Sequence, residues 1–174
     1  SSDFALARYN ANGSLDTSFS GDGRVNLSFA ASGFGNAEFA TSVTLQADGK
    51  ILVAGAAFVG ANANFAVARY NSNGSLDTSF STDGKTDFTF GGEDIATSIA
   101  LQSDGKIVLA GYTNVTAANN NDFAVMRLNA DGTLDTSFDT DGLVTTNFGN
   151  DDRANSVVIQ ADGKILVAGS WDGG

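Results

Sequence analysis

The feature that most constrains this chain is a pentapeptide, Leu-Asp-Thr-Ser-Phe, that occurs three times. Its copies span residues 15–19, 76–80 and 134–138, at spacings of 61 and 58 residues. A repeat of this length indicates an array of similar supersecondary units that share a core by stacking. The expected architecture is therefore an array of related units, and each residue has to be interpreted within its unit.

Four short segments in each unit favour β structure. In the middle unit they span 40–46, 50–55, 65–70 and 85–90. An Asp-Gly pair between the first two predicts a hairpin. The second segment is apolar on both faces, which is typical of a covered strand, whereas the fourth alternates as a half-exposed strand does. The turn glycines of the three units are Gly49, Gly105 and Gly163.

These patterns predict an all-β fold of four-stranded antiparallel units. Such sheets, packed face to face around an axis, are the blades of a β-propeller. The chain starts at the third strand of one unit and stops after the second strand of another. The predicted divisions are an outer half-blade at 1–36, blades at 37–91 and 92–148, and an inner half-blade at 149–174.

The two terminal half-blades are expected to be complementary, which gives three blade equivalents. Ordinary propellers have about four to eight blades. We therefore expect either a piece of a longer array or copies that join head to tail, because unpaired strand edges invite association.

The repeated motifs resemble one known family. Gln-x-Asp-Gly-Lys-Ile, Phe-Ala-x-x-Arg and Asn-x-(Asn/Asp)-Gly-(Ser/Thr)-Leu-Asp-Thr-Ser-Phe recur along essentially the whole chain. They are similar to the delta-sixty repeats of bacterial propellers, which implies a secreted or cell-surface protein with no assigned activity. The chain departs from that pattern at Ser20, Ser81 and Asp139, where the family has Gly, and at the hairpin positions Ala47, Ser103 and Ala161, where Pro is frequent.

Composition excludes several classes of function. The net charge is −11, and the nine basic residues are scattered, so nucleic acid is not an expected partner. The chain contains no Cys and no His, which removes thiolate chemistry and the commonest general base. No apolar run approaches the roughly 18 residues that span a bilayer, so we expect a soluble chain without membrane insertion.

The acids of the pentapeptide could be ligands or catalytic groups, or they could cap the loop backbone or pair with a repeated Arg. Their presence in every unit favours the structural interpretation, and no unit carries a distinctive acid pair, so we expect no enzyme. The acids are Asp16, Asp77 and Asp135, and the arginines are Arg8, Arg69 and Arg127.

Calcium is the one cofactor for which these acids could supply ligands. Asp135, Asp139 and Asp141 are its candidate ligands, although their spacing matches neither an EF-hand nor the nonapeptide repeat. The pairs Glu93-Asp94 and Asp151-Asp152 are expected to be turn residues at a solvated rim.

Specific binding is expected where the units differ. The linkers 56–64 and 112–122 vary in length, and insertions of that kind map to loops on one face. Trp171, Asn62 and Asn119 are the candidate contact residues. The expected function is a non-catalytic structural or adhesive module of a bacterial extracellular protein, whose partner is itself or further repeats of its chain. The alternative is a ligand- or carbohydrate-binding propeller.

Overall fold

The computed structural model describes residues 2–29, 38–115 and 120–173. All of its regular secondary structure in these ranges is β. The strands are β1 (Phe4–Ala7), β2 (Arg24–Leu27), β3 (Phe39–Leu45), β4 (Ile51–Val59), β5 (Asn62–Tyr70), β6 (Lys85–Phe88), β7 (Glu93–Leu101), β8 (Ile107–Asn114), β9 (Asp122–Leu128), β10 (Leu143–Thr146), β11 (Asp152–Ile159) and β12 (Ile165–Trp171).

Every strand pairs antiparallel with a sequence neighbour of the same sheet. Strands β3 to β6 form one four-stranded sheet and β7 to β10 form another, each in sequential order. Strands β1 and β2 form a two-stranded sheet at the start of the chain, and β11 and β12 form one at its end. The all-β fold and the four-stranded antiparallel sheets predicted from the sequence are confirmed.

The first two strands of each unit meet in a three-residue hairpin loop. The Gln46 amide donates to the Lys50 carbonyl at 2.8 Å, and the Gly49 amide donates to the Gln46 carbonyl at 2.9 Å. Gly49 has a φ of 84°, as this type of turn requires of its last residue. Gly105 and Gly163 occupy the same position in the later hairpins.

A β-bulge interrupts the first strand of each unit. The register of β3 against β4 shifts between Ala40 and Ser42, so Thr41 is the extra residue. Its hydroxyl donates to the Ala96 carbonyl of the next sheet at 2.7 Å. Thr97 bonds to the Ala154 carbonyl in the same way, also at 2.7 Å. The bulge thus links the first strands of consecutive sheets.

The cores lie between consecutive sheets. Between the two complete sheets, Leu52, Phe65 and Phe80 pack with Leu109 and Met126. Smaller clusters join β1–β2 to the first complete sheet and the second complete sheet to β11–β12. Strand β4 is buried over its first seven residues because sheets cover both of its faces, as its apolar sequence predicts.

The structure corrects the predicted linkers. Segment 56–64 is not a loop, because β4 and β5 stay paired up to Val59 opposite Asn62. In segment 112–122, β8 continues to Asn114 and β9 begins at Asp122. Ala57 and Ala63 are buried in the first extension and Thr113 in the second, which the Asn- and Ala-rich composition did not reveal.

The fourth strands are shorter than predicted. They end at Leu27, Phe88 and Thr146. The following aromatic residue leaves the strand and packs on the ring that begins the third strand, as Phe90 does on Phe65 at 5.1 Å. In the described ranges the structure has no helix long and apolar enough to cross a membrane.

Candidate assembly interface

The repeated pentapeptide forms the corner between the third and fourth strands. In the first complete sheet, Asp77 Oδ2 lies 2.7 Å from Arg69 Nε and 2.8 Å from Lys50 Nζ. Its other oxygen accepts hydrogen bonds from the amide and hydroxyl of Ser79, at 3.2 and 2.7 Å. The carboxylate therefore caps the loop and pairs with Arg and Lys at the same time.

The pKa values of the corner acids follow from these contacts. Burial raises the pKa of Asp77, but hydrogen bonds from Lys50, Ser79 and Arg69 outweigh it and hold the value well below the ordinary range. Lys106, Ser137 and Arg127 lower the pKa of Asp135 in the same way. Both carboxylates are therefore ionised near neutral pH and engaged by their neighbours.

The first corner is less complete than the other two. Asp16 pairs with Arg8 at 2.8 Å and caps Ser18, and hydrogen bonds from Ser18 are the main cause of its lowered pKa. The lysine that completes the later corners comes from the hairpin between the first and second strands. Strands β1 and β2 lack such a hairpin in their own sheet.

The first and second corners also bind the corner of the next sheet. Arg69 Nη1 donates to the Ala130 carbonyl at 2.7 Å, and the Ser81 amide donates to the Asp131 carbonyl at 2.8 Å. The guanidinium group lies 4.7 Å from the centre of the Phe80 ring, which is a cation–π contact. The same set of contacts joins Arg8 and Phe19 to the corner of the first complete sheet.

A glycine makes room for the aromatic ring in these contacts. A β-carbon built on Gly132 would lie 2.8 Å from Phe80, and one on Gly74 would lie 3.0 Å from Phe19. Both phenylalanines are fully buried. The third contact of this kind is not made within one chain. Phe138, the counterpart of Phe19 and Phe80, is only half-buried. Gly13, the counterpart of Gly74 and Gly132, is exposed, and a β-carbon built on it would have no atom within 4 Å.

Five non-glycine residues of the corners adopt positive φ. Ser20, Ser81 and Asp139 have values of 52°, 47° and 46°, at the position where the family pattern has Gly. Thr82 and Thr140 follow at 79° and 73°, where the first corner has Gly21 at 87°. A β-branched residue in this region is strained. The three departures from the family pattern at Ser20, Ser81 and Asp139 thus lie at positive φ, which glycine adopts without a steric penalty.

A second set of repeated acids lies at or next to the start of the first strand of three successive sheets, and its repetition was not recognised in the sequence. Glu38, Asp94 and Asp152 are buried, and each accepts a hydrogen bond from the amide of the phenylalanine that ends the previous unit. The prediction of a solvated rim was wrong for Asp94 and Asp152. The sequence does carry a signal for these buried acids, since each lies two residues before an alanine. The turn propensity of the aspartates made them look like surface residues instead.

Asp152 has a second acid beside it. Burial raises the pKa of Asp122, and the negative charge of Asp152 raises it further. One oxygen of each carboxylate has no hydrogen-bond partner among the described residues. The first complete sheet has Asn64 at the position of Asp122, where its amide donates to Asp87 at 2.6 Å.

The other candidate residues of the sequence analysis lie apart from one another. Trp171 ends β12 and is exposed, whereas Asn62 begins β5 in a different sheet. Asn119 lies outside the described residues. These three stay predictions as contact residues.

The three candidate calcium ligands do not converge. Asp135 is engaged as described above, Asp141 accepts a bond from the Leu143 amide at 2.9 Å, and Asp139 is exposed. Over the described ranges, no group of three or more acids is placed to hold a metal ion.

Two sheet edges expose residues that are buried elsewhere. Tyr9 is 63% exposed, whereas Tyr70 at the same position of the first complete sheet is 2% exposed. Leu166 in β12 is 56% exposed, whereas its counterpart Leu52 is 0% exposed. Strand β1 has the sequence of a third strand and β12 that of a second strand, and these two pair with each other in both complete sheets.

These features define the class as an all-β repeat protein of four-stranded antiparallel sheets linked by charged corners. The model of a β-propeller domain of unknown function (DUF5122) matches residues 1–19, 46–80 and 102–138, just over half of the chain. The chain belongs to this family. A search of curated proteins found no match.

Proposed function

We propose that this chain is a non-catalytic structural module that associates head to tail through its terminal strands. The carrying observation is the pair of open edges, β1 and β12, whose exposed side chains are buried wherever the same strands are paired. An open edge presents unpaired backbone groups and is a template for another strand. Strand β1 is the third strand of a unit and has no second strand beside it. Strand β12 is a second strand and has no third strand beside it, so each edge can supply the strand that the other lacks.

The setting we propose is a bacterial extracellular or cell-surface protein of the delta-sixty type, in which the module has an adhesive or scaffolding role. The partner is another copy or further repeats of the same chain. In support of a role without catalysis, the repeated acids Asp77 and Asp135 are held by two cations each.

The experiment is a measurement of molar mass for the 174-residue chain by light scattering over a range of concentrations. We expect a mass above the 17.8 kDa of one copy. Tyr9→Asp should return the chain to a monomer, because it places a charge where Tyr70 is buried.

Val59→Asp is the matched control. Val59 is also a large exposed residue, at 49%, but it lies at the far end of the β4–β5 hairpin. Its substitution should leave the mass unchanged. A wild-type chain that remains a monomer at every concentration would refute association through the edges.

Carbohydrate binding is the second candidate, favoured by the exposed indole of Trp171 at the end of β12. An exposed aromatic ring offers a large and rigid contact surface. A glycan array probed with the chain and with Trp171→Ala tests this role, which requires binding that the substitution abolishes.

A further inference from the structure

We propose that two copies of the 174-residue chain, taken by itself, close into a single ring of six blades, in which β12 of each copy pairs with β1 of the other. This inference rests on the proposed head-to-tail function and specifies its partner, register and stoichiometry. Each copy brings two complete sheets and two halves, so two copies make six four-stranded sheets.

The number of copies follows from closure. A repeated head-to-tail contact gives a ring when its rotation closes and a filament when it does not. Propellers have about four to eight blades. One copy supplies three blade equivalents and three copies supply nine, so two copies are the multiple within that range.

The register of the new strand pair can be taken from the complete sheets. Val53 pairs with Ala68 in the first complete sheet, and Leu109 pairs with Met126 in the second. The corresponding residues of the open edges are Val167 and Ala7. This register places Leu166 opposite Arg8 and Ile165 opposite Tyr9, which covers the apolar side chains that each copy exposes alone.

An ion pair between copies would complete the first corner. Lys50 bonds Asp77 and Lys106 bonds Asp135, each at 2.8 Å. Lys164 is the third member of this series, and within one copy it forms an ion pair with its hairpin neighbour Asp162. Pairing of β12 with β1 brings Lys164 to Asp16 of the other copy, where the lysine of the corner is missing.

The contacts between corners continue across the same boundary. Phe19 packs over Gly74 and Phe80 over Gly132, so the next pair in the series is Phe138 over Gly13 of the other copy. Arg8 and Arg69 donate to the Ser72 and Ala130 carbonyls. By the same step Arg127 would donate to Ala11 of the other copy.

The inner strands add a contact near the axis. Thr41 and Thr97 each bond the first strand of the next sheet at the bulge. Asn155 occupies the same position in β11, where its side-chain amide would donate to the Ala40 carbonyl of the other copy. The strand edge, the corner and the bulge are separate parts of the unit. All three sets of contacts are satisfied by the same arrangement of two copies.

The test uses disulfide trapping, since the chain has no cysteine of its own. Ala7→Cys and Val167→Cys together conserve the volume of the pair, and directly opposed residues have Cα separations within the disulfide range. We expect oxidation to give one covalent dimer with no free thiol and no larger species. Ala5→Cys with Val167→Cys is the control, because diagonal neighbours lie about 7–8 Å apart and should cross-link much more slowly.

The outcomes separate the two proposals. A ladder of cross-linked species overturns the two-copy ring and leaves head-to-tail association standing. A monomer with an internal disulfide overturns the second copy as the partner. A reduced monomer whose light scattering also gives a single copy overturns both proposals.

A second pair of variants tests the corner without touching the strand edges. Gly13→Ala and Gly21→Ala share a φ of 87° and have open space in one copy, so their strain is matched. Only Gly13 would face Phe138 of the other copy. We expect Gly13→Ala to raise the dimer dissociation constant at least tenfold above that of Gly21→Ala, and equal constants would overturn the corner contact.

Discussion

At the scale of single residues, the corners show how a buried charged group is stabilised. Asp77 lies in a buried corner, yet both of its oxygens are occupied by cations, an amide and a hydroxyl. Losing one partner of such a group leaves an uncompensated charge, which is costly. The Leu-Asp-Thr-Ser-Phe sequence supplies the acid, the serine and the aromatic ring within five residues, and this explains why it recurs as a block.

Replacing the strained threonines tests the energy stored in the corners. Thr82→Gly and Thr140→Gly should each raise the free energy of unfolding by about 1 kcal/mol, since glycine adopts positive φ without a steric penalty. Urea denaturation measures the change. The control is Gly21→Thr, for which we expect a loss of similar size, and a stabilised Gly21→Thr chain would contradict the strain.

At the scale of elements, the bulge and the glycine opposite it form one device. A β-carbon on Gly111 would lie 2.0 Å from the Ile95 carbonyl oxygen, and Gly55 and Gly169 have the same distance to Phe39 and Arg153. The extra residue of the bulge turns its side chain toward the next sheet, and the glycine lets the paired backbone approach. The second strand therefore needs glycine at that point although the strand is otherwise apolar.

Gly111→Ala should destabilise the chain by about 3 kcal/mol, because backbone atoms cannot move aside as a flexible side chain can. Thermal unfolding of the purified variant provides the measurement. Gly105→Ala is the comparison: it carries the strain of positive φ but has its nearest neighbour at 3.6 Å, so a loss of about 1 kcal/mol is expected. Equal losses would show that the close approach is relieved elsewhere.

At the scale of the whole molecule, consecutive sheets are joined by three kinds of contact: apolar cores, corner bonds and bulge bonds. Each sheet uses one face toward its predecessor and one toward its successor. The terminal sheets therefore each leave a face or an edge that a complete array would cover, as the exposure of Tyr9 and Leu166 shows. Stability and association should depend on the same interactions.

The stability of the whole chain should fall in acid and stay level near neutrality. The lowered pKa values of Asp16, Asp77 and Asp135 mean that these acids contribute stability that is fully present above their ordinary pKa of 3.8 and is lost as pH falls through the folded values. No histidine titrates, so we expect little change from about pH 6 to 8. Urea unfolding at a series of pH values measures the profile.

The pKa shift of Asp122 has the opposite sign, so a variant of this residue is the control for the pH profile. Its raised pKa means that its contribution is present below 3.8 and is lost as pH rises through the folded value. Asp122→Asn should therefore stabilise the chain at pH 7, by about 1 kcal/mol, while leaving the acid limb unchanged. A destabilised variant at pH 7 would mean that the hydrogen bond between Asp122 and Asn147 outweighs the cost of burying the carboxylate beside Asp152.

Much of the fold could be predicted from local sequence. The Asp-Gly turns, the alternation of the fourth strands and the apolar second strands are each expressed within a few residues, so hairpins and sheet order follow from them. The pairing of Asp77 with an arginine was predictable as one of two alternatives, because both residues recur at a fixed spacing. Its lysine was not, since Lys50 reaches the corner from a hairpin 27 residues earlier in the chain.

By itself, the sequence determined that this is an all-β array of repeated four-stranded units with a charged corner in each. Only the tertiary structure decided which side chains those units bury. Asp94 and Asp152 look like surface turn residues, yet both are covered because the end of the preceding unit folds over them. Tyr9 and Tyr70 occupy the same position of the repeat and differ in burial because β5 has a strand on each side, whereas β1 is paired on one side only. Turn chemistry and side-chain alternation act within a strand, whereas burial depends on sheets supplied by other units.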